Sequence, residues 1–425
     1  MAESFVLHGA VIYSRDLKNI AAFPSAWVVC DGGISKGVFE TLPDEYRDLP
    51  QTDFGNKLIM PGLTDLHVHA PQYPCRGNGM DLELLDWLDQ YIFPEESKYK
   101  DLSYAKKAYR LFAEEMRKGP TTRACVFSTI HPEATSVLMD LLEETGLRTY
   151  VGKVNMDRNS PDYYTETTEE SAAATRSWLE AVKAAGYSRT RPIITPRFTP
   201  TCTRELMCAL GELAKEYDIP VQSHLSENLS EISWVKELES DVSCYADSYE
   251  KAGIFGEHTP CVMAHCVWSD DEELSLIKKR GVFIAHSPES NINLSSGAAP
   301  VRRFLDMGLH VGLASDVSAG STTSMFSAMR NAVYASKLRW RLMDQSLRPL
   351  TFQEVFYLAT KGGGAFFGNV GSLEAGYEFD AVVLDDTPFL TSREDETVLH
   401  RTERAVYLAD QRDVAAKYVA GRRVF

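Results

Sequence analysis

The 425-residue chain carries 44 Lys and Arg against 60 Asp and Glu, a formal net charge of −16. With 44% hydrophobic and 24% charged residues, it has the balance of a globular protein with a large core, which excludes disorder, collagen and coiled coil. The acidic excess argues against nucleic acid polymers as partners, because phosphate-backbone binding needs clustered Lys and Arg.

Met1 to Ala10 lacks a basic region followed by an apolar core, and no apolar run is long enough to cross a bilayer, so the cytoplasm is the expected location and no membrane partner is expected. The 8 cysteines are scattered without a C-x-x-C pair, which suggests reduced thiols rather than a zinc knuckle or disulfide framework.

In chain order, residues 1–57 read as short strands separated by turn signals. Eight β-rich runs follow, at 58–67, 122–129, 148–156, 192–198, 220–225, 261–267, 282–286 and 310–314. Helical stretches such as 103–117, 134–144, 169–185, 203–217 and 270–279 lie between them. Such alternation fits an α/β fold, a (β/α)8 TIM barrel over residues 58–370, although a doubly wound sheet would alternate in the same way. Residues 371–425 return to short strands, including the AVYLAD stretch at 405–410. Pairing the two ends, 1–57 and 371–425, into one small β-rich domain is the economical arrangement.

His67 and His69 close the first barrel run. In an extended strand i and i+2 share a face, so both imidazoles can enter one site. A lone H-x-H is more often a pair of surface histidines, but His224, His265, His286 and Asp316 also fall at or near strand ends, placing half of the 10 histidines on one rim. Imidazoles plus one carboxylate, with a position left for water, are the donors of a catalytic zinc site, and iron would suit them too. Asp316 can take a proton from the attacking water, or simply cap a turn.

Glu227, three residues after His224, can pass a proton between water and substrate, whereas Glu231 reads as a surface or helix-start carboxylate. Residues 196–198 are Pro-Arg-Phe, so the fourth strand supplies no bridging ligand; Lys153 is placed below the site and a single metal is expected. Residues 82–93 have helical apolar spacing around Trp87 and can form either a lid or a core-packing helix. Gly362-Gly363-Gly364 lacks phosphate-loop spacing and reads as tight packing of the last helix.

The stretches PGLTDLHVH at 61–69, HLSEN at 224–228, AHC at 264–266 and SDV at 315–317 resemble the amidohydrolase superfamily. HAPQY at 69–73, LLDWLDQYIFPEE at 84–96, MDRNSPDYY from Met156 and PRF at 196–198 resemble its guanine-deaminating branch, and GSLEAGYEFDAVVLD at 371–385 is similar to the superfamily's C-terminal sheet segment. The resemblance implies a barrel holding one zinc ion through His67, His69, His224 and Asp316, with Glu227 shuttling protons and His265 hydrogen-bonding the attacking water. It further implies that Gln72, Arg197 and Phe198 hold a small-molecule purine base, and that the protein is a homodimer.

Those residue types suit guanine: an aromatic face for the ring, a donor for O6, and an amide for the remaining edge. Adenine offers Arg197 no acceptor and is expected to react poorly. Two stretches depart from the usual family pattern, Pro288-Glu289-Ser290-Asn291 and Val317-Ser318-Ala319-Gly320, and bear on fine specificity. The rival readings are a related deaminase or chlorohydrolase acting on 8-oxoguanine, another purine, a pterin or a triazine, and a non-catalytic guanine-binding or scaffold protein.

Overall fold

The structure is a computed structural model that describes residues 3–389, 391–393 and 396–425. The chain opens with β1 (Phe5–Ser14), β2 (Ile20–Asp31), β3 (Ile34–Phe39) and β4 (Gln51–Pro61). β4 runs parallel to β1 and passes through Gly62 straight into β5 (Leu63–His69). A side chain at 62 has no room, because a Cβ there would sit 2.2 Å from the Thr122 hydroxyl. The run expected as one strand over 58–67 is therefore two, and the break turns the chain from one sheet into another.

β5 begins a parallel series with β6 (Thr121–Phe127), β7 (Arg148–Gly152) and, after the short β8 (Val154–Asn155), β9 (Thr190–Pro192). The fourth run is fragmented: β9 is followed by β10 (Thr195–Pro196), which pairs with β8. The second series is β11 (Val221–Leu225), β12 (Cys261–His265), β13 (Phe283–His286) and β14 (His310–Leu313).

Backbone bonds join the two series at both edges. Ile194 bridges Val221 in parallel, and past β14 the Asp316 N–H donates to the His67 carbonyl at 2.9 Å while His69 N–H donates to the Val317 carbonyl at 3.0 Å. The ring is closed, which separates a barrel from an open doubly wound sheet. That second seam also brings the end of β5 against the segment carrying Asp316.

Helices sheath the ring. Leu102–Lys118 is representative: the Asp101 side chain caps it by accepting from Ser103 N–H at 2.8 Å. It buries Ala105, Ala108, Tyr109, Phe112, Ala113 and Met116, the i, i+3, i+4 stripe of an amphipathic helix. The Gly362–Gly364 run packs against the closing seam, since a Cβ on Gly312 would lie 2.7 Å from Gly363 Cα.

β15 (Ala381–Leu384), β16 (Val414–Val419) and β17 (Arg422–Arg423) return to the first sheet, which has the order β17-β16-β15-β4-β1-β2-β3. Between β15 and β16 the expected strand at 405–410 is instead the end of the helix Val398–Leu408. Thr397 caps it, and Val398, Thr402, Ala405 and Val406 are buried with helical spacing, so a period near 3.6 wins over local β propensity.

Two buried cations couple this sheet to the barrel. Arg123 on β6 donates to Asp380 through Nε at 2.6 Å and Nη2 at 3.0 Å, and the Lys417 ammonium on β16 donates to the carbonyls of Met116, Gly119 and Thr121 at 2.8, 2.8 and 3.0 Å. Among the described residues no helix is long and apolar enough to cross a membrane. All eight cysteines are free thiols.

Candidate active site

His67 and His69 project from the end of β5 into the barrel mouth, both buried, with their Nε2 atoms 3.1 Å apart. His224 on β11 brings its Nε2 to 3.3 Å from that of His69. Asp316 places Oδ1 at 3.2 Å from His67 Nε2 and 3.6 Å from His69 Nε2. His67, His69 and His224 form one group of donors close enough to share a cation, and His67, His265 and Asp316 form a second, with His67 common to both.

The chemistry of the donors agrees with the spacing. The His224 Nδ1 hydrogen-bonds the Arg197 carbonyl at 2.6 Å, which leaves the Nε2 lone pair facing the cluster. Burial holds His67, His69 and His224 below the usual histidine range, and their crowding adds to it. Burial opposes ionisation of Asp316, yet His67 and the other imidazoles pull its carboxyl well below the ordinary value. Neutral imidazoles beside a carboxylate form a set that a divalent cation completes.

Beneath them Asp65 staples β5 to the chain past β14, accepting from the N–H groups of His67 at 3.2 Å and Ser315 at 3.0 Å and from the Ser315 hydroxyl. His265, at the end of β12, is fixed by Asn291, whose Oδ1 lies 2.8 Å from Nδ1. Its Nε2 then faces Glu227 Oε2 at 3.4 Å and Asp316 Oδ2 at 3.7 Å, buried between the two carboxylates.

Glu227 sits on the turn after β11. The Glu231 carboxylate holds that turn by accepting the N–H of Glu227 at 2.9 Å and of Asn228 at 3.2 Å, and the Ser296 hydroxyl donates to Glu227 Oε1 at 3.0 Å. Burial, with Asp316 and Glu231 nearby, pushes the Glu227 carboxyl up to about 7, where it can take and return a proton near neutrality. Glu231 is a helix-start residue as expected, but a buried one.

The cluster opens into a cavity walled by Gln72, Arg197, Phe198 and Ser290 and roofed by Leu84, Trp87, Leu88 and Leu294. The lining, apolar and aromatic with a few polar groups, suits a small planar molecule. The roof is the stretch that the sequence offers as a lid: Leu84–Trp87, a wide turn over Leu88–Ile92, then Phe93–Ser97.

Glu96, within that stretch, escapes sequence reasoning except as one letter of a resemblance. It is fully buried and accepts from Arg197 Nη1 at 2.7 Å and Nη2 at 3.3 Å, from Gln72 Nε2 at 2.8 Å and from the Tyr164 hydroxyl at 2.8 Å. Burial alone would weaken the Arg197 cation, but the Glu96 charge and hydrogen bonds more than offset it.

Three other sequence candidates lie outside this constellation. Lys153 is buried, with its ammonium on Glu166 at 2.7 Å and the Val154 carbonyl at 3.2 Å. His286 belongs to neither group of metal donors, and burial pushes it down to about 3. Glu289 accepts from Ser321 N–H at 3.2 Å and Asn331 Nδ2 at 3.1 Å, holding a loop rather than lining the cavity.

Comparison with known proteins agrees with this geometry. The model of the amidohydrolase family matches residues 58–424. The chain is similar to a guanine deaminase from C. acetobutylicum whose structure holds guanine in its active site, at 44% identity and TM-score 0.95 over 99% of this chain and 100% of that one. It is 38% identical to guanine deaminase of Dictyostelium discoideum, over 98% of this chain and 97% of that protein, and 39% identical to that of Mus musculus, over 90% and 85%.

Proposed function

The chain belongs to the amidohydrolase family, and we propose that it deaminates guanine hydrolytically to xanthine and ammonia, in purine catabolism. Arg197 carries the reading: a buried cation, its backbone carbonyl tied to His224, standing in the wall of the cavity beside the metal donors.

One zinc ion on His67, His69, His224 and Asp316 would supply an activated water at neutral pH, and iron would fit the same donors. Phe198 offers its face to the purine ring, Arg197 donates to O6, and Gln72 meets the remaining edge with one donor and one acceptor. His265, its Nδ1 engaged by Asn291, directs Nε2 to the attacking water. Asp316 takes a proton from that water as its oxygen bonds to C2, and Glu227 protonates N3. The C2–N bond then breaks, and Glu227 or Asp316 delivers the proton on which ammonia leaves. Arg197 would face the amine of adenine without an acceptor, which penalises that base.

A cytoplasmic homodimer is part of the same reading. Tyr334, Leu338 and Leu342, spaced four apart on the helix Met325–Leu342 and 45%, 54% and 76% exposed, form an apolar stripe that supports association. Ammonia release by the zinc-loaded protein from guanine, 8-oxoguanine, adenine, cytosine and a pterin tests the assignment. Rapid release from guanine with little from adenine is expected. Release from another substrate alone discards guanine, and silence with metal bound discards catalysis.

A further inference from the structure

Glu96 has four acceptor positions, and Arg197 Nη1, Arg197 Nη2, Gln72 Nε2 and the Tyr164 hydroxyl occupy all four. None is left for a ligand, so Glu96 acts through its partners. It fixes the face that Arg197 presents to the cavity. It also fixes the Gln72 amide, whose Nε2 donates to Glu96 while Oε1 accepts from Ser318 N–H at 3.3 Å, leaving one donor and one acceptor of known position for the base.

The charge matters as much as the geometry. Arg197 and Glu96 are 3% and 0% exposed in their side chains, so the pair enters the cavity wall as a neutral unit. Resting on the proposed deamination, we infer that Glu96 is a positioning residue that tunes the cavity to a neutral 6-oxopurine and, by cancelling the Arg197 charge, lets the acidic product depart. Xanthine has a second ring carbonyl where guanine has its amine, and it loses a ring proton near neutral pH where guanine does not. An uncompensated Arg197 would hold that anion after each turnover.

The test uses the metal-loaded full chain, wild type, Glu96→Gln and Glu96→Asp, with calorimetric binding of hypoxanthine at pH 6, where it is neutral, and of xanthine at pH 6 and pH 9. Hypoxanthine affinity is to fall about tenfold in both variants because the guanidinium and amide lose their anchor. Xanthine affinity is to rise tenfold or more from pH 6 to pH 9 in Glu96→Gln only, with stronger product inhibition of guanine turnover. Glu96→Asp, which keeps the charge, is to show no such rise.

A purely structural role would weaken hypoxanthine at pH 6 and xanthine by the same factor at both pH values, and that result overturns the proposal. So does a wild type that binds xanthine more tightly at pH 9 than at pH 6, an observation that needs no variant to fold. If the wild type releases no ammonia from guanine, the assigned reaction fails, while the two binding profiles still decide the role of Glu96.

Discussion

The Glu231 carboxylate accepts the backbone N–H of Glu227 at 2.9 Å, so one buried acid aims another. Glu231 is also the third helical residue of a capping box with Asn228, and the device that starts the helix Leu229–Leu238 therefore sets the turn from which Glu227 reaches the site.

Glu227→Gln removes the proton carrier and keeps the shape. Turnover of guanine at saturation is expected to fall by about 10²–10⁴-fold, the usual contribution of a positioned acid–base group, with metal content unchanged. Glu231→Gln retains Glu227 but loosens its turn, and a smaller loss of about tenfold is expected. Steady-state ammonia release with metal analysis checks both; a Glu227→Gln protein within a factor of two of wild type would sink the assignment.

The contrast between Glu227 and Glu96 shows what the chain discloses on its own. His67 and His69 are legible because a strand has period two, and Asp316 because it follows a short apolar run by two residues. Glu227 is legible through its offset from His224. Glu96 lies 24 residues from Gln72 and 101 from Arg197, in a stretch whose apolar spacing describes only the roof, so no local pattern marks it. Asn291 reaches His265 from the helix that follows the neighbouring strand β13, and Asp65 ties β5 to Ser315, 250 residues away and just past β14. The helix Val398–Leu408 was hidden for a related reason: its buried stripe is set by the surface it packs on.

Arg123 and Asp380 form a bidentate pair 4% and 0% exposed across the junction of barrel and sheet, and Asp380 Oδ1 also accepts the Ala420 N–H at 2.8 Å. Asp380→Ala leaves the buried Arg123 guanidinium with Glu378 alone, at 2.9 Å, and removes the acceptor of the Ala420 N–H, at a cost of about 2–3 kcal/mol. Replacing both residues, Arg123→Met with Asp380→Leu, is expected to cost less than the single change. Chemical denaturation of the three proteins checks this; additive losses would place the stability elsewhere.

His131 stands just before the helix Pro132–Thr145, its Nε2 buried and without a hydrogen bond, and its ring lies 5.9 Å from that of Tyr164. Burial, aided by Lys153 and Lys100, pushes it down to about 4 from 6.5. The depressed folded value means that the unfolded chain takes up a proton first. The contribution is thus complete above pH 6.5 and lost as pH falls through about 4. The melting temperature of the wild type is expected to drop more between pH 7 and pH 4.5 than that of His131→Leu, which cannot titrate there. Parallel curves would show that His131 protonates equally in both states.

The Nε2 atoms of His67 and His69 lie 3.1 Å apart, that of His224 lies 3.3 Å from His69, and Asp316 Oδ1 lies 3.2 Å from His67. A cation bound by these donors in the folded chain and not in the unfolded one adds its binding free energy to stability. A chelator is therefore expected to lower the melting temperature as well as abolish ammonia release, and zinc is expected to restore both at one ion per chain. His69→Ala should lose the ion and the activity together, whereas Gln72→Ala, which removes an amide held by Glu96 and Ser318 and not a metal donor, should keep the ion and raise KM. Full activity after complete metal removal, or two ions bound per chain at saturation, would show that these four donors are not the centre of the chemistry.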